Sequence, residues 1–419
     1  MRVNRLGTAT CCSATVLVTL VFGGLTGRAS AQAVAPAEDP VRVLVGRLDL
    51  EKYKATIKAL TQFGDRLQGT DRNKQAIDWI EAQLKSYGCA PERLRYNYMP
   101  ASAPTAAAPA QPAAPRPLQI ASGEVRNGAG GSRLRGMTSP TSGTGPRATD
   151  LDAQPDAALR ALNAQSAPPG PREQVYCTKV GTRYPGEMYI VGAHMDGRGL
   201  GEAADDNGSG TALVMELARI FSTADVQTER SIRFAFWNNE EGGLVGSTAY
   251  VAQRAALQGK EDPPGSGRYP EPKWLGMIQH DMMLWDHGMP RADGTISPEQ
   301  RPEADVNIEF QSTARLADQA MKLAFLFRDA NEKYATDYPA AVGNHMTATD
   351  STPFMDLVPA ISLRENERGM HTGAGWNPHY HQPTDKYSSY SDKDFRLGLN
   401  AAQTTLAGVA QLAGITVKK

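Results

Sequence analysis

Cysteine is scarce in this chain, with four residues in 419, too few to frame the fold with disulfides. Neither sign of charge dominates. Lys+Arg 44 against Asp+Glu 45 leaves a formal net charge of −1, which excludes a nucleic-acid binder relying on a strongly basic surface. Beyond the N-terminus no segment reaches the about 18 consecutive apolar residues of a membrane span. Neither a nucleic-acid partner nor stable membrane insertion is therefore expected. Apolar side chains are plentiful at 41%, enough for a sizeable core. The 40 Gly and 28 Pro are unevenly spread, and the length suits one large domain or two ordinary ones.

The first 31 residues read as a secretory signal. Arg2 and Arg5 form a positive start, Ala14 to Leu25 an apolar stretch, and Ala29-Ser30-Ala31 a small-residue cleavage pattern. Its removal takes away Arg2, Arg5 and Arg28 and no acid, moving the net charge to −4. Cys11 and Cys12 leave with it. Only Cys89 and Cys177 remain, free to pair in an oxidising compartment if the fold brings them together. The expected location is secreted or periplasmic.

Residues 32–99 read as the first part of a globular domain. Asp49 is placed to cap a helix carrying Leu50, Tyr53, Ile57 and Leu60, and Asp71 to cap a second with Ile77, Ile80, Leu84 and Tyr87 on one face. Gly88 would stop that helix, and Arg93 to Tyr98 reads as a strand. Residues 100–171 shift to Ala, Pro, Gly and Ser, with too little apolar surface to offset the entropy of ordering. A flexible insertion is expected there. Residues 172–419 form the main part of the domain. Apolar runs at Met188 to Ala193, Ser231 to Trp237, Trp274 to His280 and Val358 to Leu363 alternate with helical patterns. These predict a three-layer α/β/α fold with a central mixed, mostly parallel sheet.

In such folds reactive groups gather at the carboxyl ends of strands. Here those ends carry His194-Met195-Asp196, Asn238-Asn239-Glu240-Glu241 and, after His280, Asp281. A turn-rich loop, Asp205-Asp206-Asn207-Gly208, opens the next helix, and Tyr380-His381 with Asp385 lies near the C-terminus. Singly, an acid after a strand is most often a helix cap or a solvated loop residue. Acids or imidazoles after three successive strands, with two further clusters, point instead to a divalent metal such as zinc. Asp196, two residues past His194, is a candidate to fix its tautomer. One of Glu240 and Glu241 can bind metal while the other accepts a proton.

At these residues the sequence resembles the M-twenty-eight family of zinc peptidases. The motifs are His194-x-Asp196, Asp206-Asn207-x-Ser209-Gly210, Asn239-Glu240-Glu241 with Gly246-Ser247, Asp281, and Tyr380-His381-x-x-x-Asp385, in the family's order. The resemblance implies a zinc-exopeptidase-like fold and two zinc ions bridged by Asp206. One ion would be completed by His194 and Asp281, the other by Glu241 and His381. Glu240 would be general base and then general acid, and Tyr380 a donor to the tetrahedral intermediate. Asp206, directly before Asn207, matches the bridging position better than Asp205. Arg66 and Gly69-Thr70 match a signature ahead of the core and are assigned a structural role. The function so implied is a secreted aminopeptidase acting on peptides. A carboxypeptidase of the same fold, a glutaminyl cyclase and a non-catalytic secreted binding domain remain as alternatives.

Overall fold

The computed structural model describes residues 38–99, 149–287, 300–302, 304–346, 348–365 and 377–418. The signal sequence and most of the expected insertion lie outside them. Three helices open the described chain: α1 (Pro40–Val45), α2 (Leu50–Thr61) and α3 (Asp71–Ser86). Asp49 caps α2 by accepting from the Lys52 N–H at 2.9 Å, and Tyr53, Ile57 and Leu60 are buried, as their spacing predicts. For α3 the cap is Thr70, one residue before the expected Asp71. The Thr70 hydroxyl takes the Asn73 N–H, and Asp71 becomes the first helical residue, where its charge favours the positive end of the helix.

Ten strands follow among the described residues. They are β1 (Pro91–Tyr98), β2 (Gly170–Lys179), β3 (Tyr184–His194), β4 (Val226–Thr228), β5 (Arg230–Trp237), β6 (Lys273–Asp281), β7 (Val306–Phe310), β8 (Ala340–Gly343), β9 (Ala360–Arg364) and β10 (Ile415–Val417). The remaining α-helices among the described residues are α4 (Ala157–Asn163), α5 (Gly208–Phe221), α6 (Val245–Arg254), α7 (Ala317–Tyr334) and α8 (Asp392–Ala413). Eight strands form one sheet in the order β1-β2-β5-β3-β6-β9-β7-β8, while β4 and β10 pair separately. The centre, β5-β3-β6-β9, is wholly parallel. Antiparallel pairings join β1 to β2, β2 to β5 and β7 to β9. The sheet is therefore mixed with a parallel heart, as expected.

Strand alternation divides the core between the two faces of the sheet. On β5, Ile232, Phe234 and Phe236 join a large cluster with α2, α5, α7 and α8, whereas Ala235 and Trp237 join Tyr176, Tyr250, Trp274 and Phe354 on the other face. Both faces are dry, which is why the central strands read as continuous apolar runs. Among the described residues no helix is long and apolar enough to cross a membrane.

Two features go beyond the sequence reading. Cys89 and Cys177 form a disulfide, with Cα atoms 5.8 Å apart. The β1–β2 register, which sets Pro91 opposite Cys177, brings them together. Within the stretch expected to be flexible, residues 149–171 hold the helix α4 and the start of β2, and residues 100–148 lie outside the described chain. Asp156 caps α4 through the Ala158 and Leu159 N–H groups. Asn163 at its end is buried, accepting from the Asp65 N–H and donating to the Gly201 carbonyl. Polar anchoring of this kind orders a segment whose composition alone promises little burial.

Candidate metal centre

Because β3, β5, β6 and β9 run parallel, their carboxyl ends lie along one edge of the sheet. His194 ends β3, Asp281 ends β6, and Glu240 and Glu241 follow β5 after a left-handed turn at Asn239 (φ 65°). Asp206 comes from the loop that enters α5. The Asn207 side chain caps that helix by accepting from the Gly210 N–H, and its amide donates to the His280 carbonyl, tying the loop to β6. His381 arrives from the segment before α8 with φ 55°. Gly199 (φ +94°) lies directly against the His381 backbone, and a Cβ there would sit 2.3 Å from the His381 carbonyl carbon. Only glycine fits that approach.

These elements build two triads that share one residue. His194, Asp206 and Asp281 form the first; Asp206, Glu241 and His381 form the second, each with its donor atoms within 4.8 Å of one another. In the first, His194 Nε2 is 3.4 Å from Asp206 Oδ1 and 3.3 Å from Asp281 Oδ1. In the second, His381 Nε2 is 3.0 Å from Asp206 Oδ2 and 3.1 Å from Glu241 Oε2. Asp206 thus presents one oxygen to each triad. Ligands at about 2.0–2.1 Å from a tetrahedral ion are separated from each other by about 3.3 Å, so the spacing suits zinc. The tautomer suits it as well. His194 Nδ1 lies 2.9 Å from the Asp196 carbonyl, which can only accept, so that nitrogen carries the proton and Nε2 offers a lone pair.

The electrostatics also call for cations. Burial opposes charge on both imidazoles, yet the surrounding Glu240, Asp281 and Asp206 hold His194 well above its ordinary range. Against the same opposition from burial, Glu241 and Asp206 raise His381 to about 9. Crowded carboxylates of this kind are ordinarily balanced by metal. Glu241 Oε1 is buried without a hydrogen-bond partner. Burial raises the Glu240 carboxyl well above the usual range, with Glu241, Asp350 and Asp281 adding to it and His194 opposing.

The other candidate residues hold the frame. The Asp196 carboxylate stands 3.9 Å from His194 Nδ1 and accepts instead from the Glu240 N–H at 3.1 Å. It is the Asp196 main-chain oxygen that fixes the imidazole, because a tight strand end brings the carbonyl closer than the side chain. Asp385 does not reach His381. It accepts from the main-chain N–H groups of Asp205 and Asp206. Asp205 turns away from the triads to the Ser209 hydroxyl, the Met283 and Leu284 N–H groups and the Asn377 amide. Tyr380 stacks on His381 with ring centroids 3.7 Å apart. Arg66 is wholly buried and donates to the carbonyls of Met195, Glu202 and Ala203, pinning the loop between the triad residues His194 and Asp206.

Three residues here carry weight that sequence reasoning missed. Arg198 contacts Glu241, Arg364 contacts Asp281, and Asp350 accepts from Gln279 beside the first triad. Arg364 follows the predicted apolar run Val358 to Leu363, so the strand-end rule would have found it. Arg198, between Gly197 and Gly199, gave only the signal of a cation close to the first motif.

Comparison with known proteins bears on the fold and the family. An aminopeptidase of Pseudomonas aeruginosa is 42% identical over 77 residues, which are 18% of this chain and 14% of that protein. The chain thus spans well under a fifth of this relative. The fold is shared with an aminopeptidase from Aneurinibacillus sp. strain AM-1, with a TM-score of 0.56 at 20% identity, covering 89% of this chain and 96% of that one. It is also shared with Porphyromonas gingivalis glutaminyl cyclase, with a TM-score of 0.53 at 16% identity, covering 87% and 99%. The family model described as Peptidase family M28 matches residues 175–404, more than half of the sequence and nearly all of the sheet and both triads, and the chain belongs to that family.

Proposed function

We propose that the chain is an exported, zinc-dependent aminopeptidase that removes N-terminal residues from peptides with two ions. The observation that carries this is Asp206, with Oδ1 3.4 Å from His194 Nε2 and Oδ2 3.0 Å from His381 Nε2. Zinc ions, when bound, supply Lewis acidity that makes a water nucleophilic near neutral pH and polarises the scissile carbonyl. His194, Asp206 and Asp281 would hold one ion and Asp206, Glu241 and His381 the other. Glu240, its main chain tied to Asp196 and its carboxyl raised by burial, takes the proton from the nucleophilic water and returns it to the leaving amine. Tyr380, stacked beside His381, donates to the oxygen that gains negative charge. The N-terminal signal pattern and the Cys89–Cys177 disulfide both favour an exported protein.

The second triad argues against a one-zinc cyclase, and the higher identity to a relative named aminopeptidase (42%) than to Carboxypeptidase Q of Xenopus laevis (32%) favours an aminopeptidase over a carboxypeptidase. The test is zinc content together with a substrate panel of aminoacyl chromogenic amides with free and blocked amino termini. About two zinc per chain and cleavage of free termini alone are expected. Cyclisation of N-terminal Gln, cleavage of blocked peptides from the carboxyl end, or absence of metal would each replace the proposal. Glu240→Gln should lower turnover by ~10²–10⁴ or more with both ions retained, while Glu241→Gln should lose one. The reverse pattern would exchange their roles.

A further inference from the structure

Among the described residues two arginines reach the triads, and they do so differently. Arg364 Nη1 approaches Asp281 through Oδ2 at 3.3 Å, leaving Oδ1 as the oxygen that faces His194. Arg198 takes the other course. Its Nε lies 2.8 Å from Glu241 Oε2, the same oxygen that faces His381 at 3.1 Å. The Nη1 group of Arg198 donates to the Glu241 carbonyl at 3.0 Å, so one guanidinium holds both the side chain and the main chain of Glu241. Nε is also 3.3 Å from His381 Nε2, a second donor atom of the triad. A cation is thus built against the second triad and shares its carboxylate oxygen. In the first triad the guanidinium of Arg364 meets the other oxygen of Asp281, not the one that faces His194.

A carboxylate oxygen already accepting from a guanidinium has less charge to give an ion, and the guanidinium repels a dication placed nearby. From this asymmetry we infer that Arg198 is a positioning residue that makes the Asp206/Glu241/His381 triad the weaker and more readily exchanged of two metal positions. The inference rests on the two-metal function proposed above. It follows that the fully loaded state is set by the surrounding zinc concentration, whereas the first triad stays filled. Arg198 also keeps Glu241 directed at His381, so its removal exchanges orientation for affinity.

The experiment is calorimetric titration of Zn²⁺, with a competing chelator, into the metal-stripped full chain, with no substrate present. The wild-type chain should bind two ions with separable affinities. Arg198→Met should tighten the weaker step by about tenfold or more and leave the stronger step unchanged. Arg198→Lys keeps the charge and should stay within a few-fold of wild type. A purely structural role predicts the opposite direction, because a slackened Glu241 weakens the site. If Arg198→Met leaves the weaker step unchanged or weaker, or if Arg198→Lys tightens it as much as Met does, the role assigned to Arg198 is wrong. If the wild-type chain itself binds fewer than two ions, the two-metal function fails first and the inference falls with it. Circular dichroism on each variant distinguishes an altered site from an unfolded chain.

Discussion

Replacing Arg66 with Met tests whether the loop carrying Asp206 is held by its buried cation. The side chain is fully enclosed and donates through Nε to the Met195 carbonyl at 2.8 Å, through Nη1 to Glu202 at 2.9 Å and through Nη2 to Ala203 at 2.7 Å. Longer contacts reach Leu60 and Gly64 at 3.4 and 3.2 Å. Burial works against the charge, and nearby Asp385, Asp65, Asp196 and Asp206 favour it. Hydrogen bonds from a charged donor are worth about 1.5–3 kcal/mol each, so the three short ones total roughly 5–9 kcal/mol gross. Relief of the several kcal/mol spent burying the cation offsets part of this. The net expected loss is about 3–5 kcal/mol, read as a shift in the urea midpoint. Loss of loop definition should also reduce zinc retention, because Met195 to Ala203 leads directly to Asp206. A loss under about 1 kcal/mol with unchanged zinc content would refute the assignment of Arg66 as the loop's anchor.

Reducing the Cys89–Cys177 disulfide, which spans a sequence separation of 88, should destabilise the chain by up to about 4.5 kcal/mol on the loop-entropy relation; identical urea midpoints with and without reductant would contradict this. His280 is buried and neutral, donating from Nδ1 to the Gly192 carbonyl and accepting at Nε2 from the Thr405 hydroxyl, and burial pulls it down to about 4. Below its ordinary pKa near 6.5 the unfolded chain takes up a proton that the folded chain refuses, so stability falls as pH drops from about 6.5 to 4. The loss totals about 3 kcal/mol. Urea unfolding of metal-stripped wild type and His280→Gln across that window should diverge in slope, and parallel profiles would refute the linkage.

The sheet was legible because its central strands are buried on both faces and so announce themselves as apolar runs ending in polar residues. The antiparallel edges were not. Strand β2 opens on the polar run Arg172-Glu173-Gln174 and shows no clean alternation, and nothing local tells whether its partner runs with or against it. Helix α4 escaped for a different reason. Averaged over residues 100–171, composition hides a seven-residue helix ordered by Asp156 at its start, Asn163 at its end and a single buried leucine, Leu159. The disulfide depended on a strand register joining residues 88 positions apart. The convergence of five candidate ligands into two triads follows from strand ends, a capped helix entrance and two left-handed residues, Asn239 and His381.

Sequence does not show which acids are open to a metal, since all of them look alike as carboxylates after strands or in turns. The structure separates them by main-chain donors. Asp205 faces the N–H groups of Met283 and Leu284, Asp385 those of Asp205 and Asp206, and Asp196 that of Glu240. A carboxylate that accepts from two fixed N–H groups, as Asp205 and Asp385 do, is locked in orientation and serves as a brace, whereas Asp196 accepts the Glu240 N–H through Oδ1 and keeps Oδ2 buried without a partner. The triad carboxylates instead direct oxygens toward imidazole nitrogens, and each brace acts on a segment that carries one of them. Asp385 holds the backbone of Asp206, and Asp196 that of Glu240 beside Glu241. A fold that must gather several like charges in one dry place thus uses one set of acids to fix the positions of another. Asp206 Oδ2 and Glu241 Oε1 keep no hydrogen-bond partner of their own, and the braces together with Arg198 and Arg364 hold the triad acids in place.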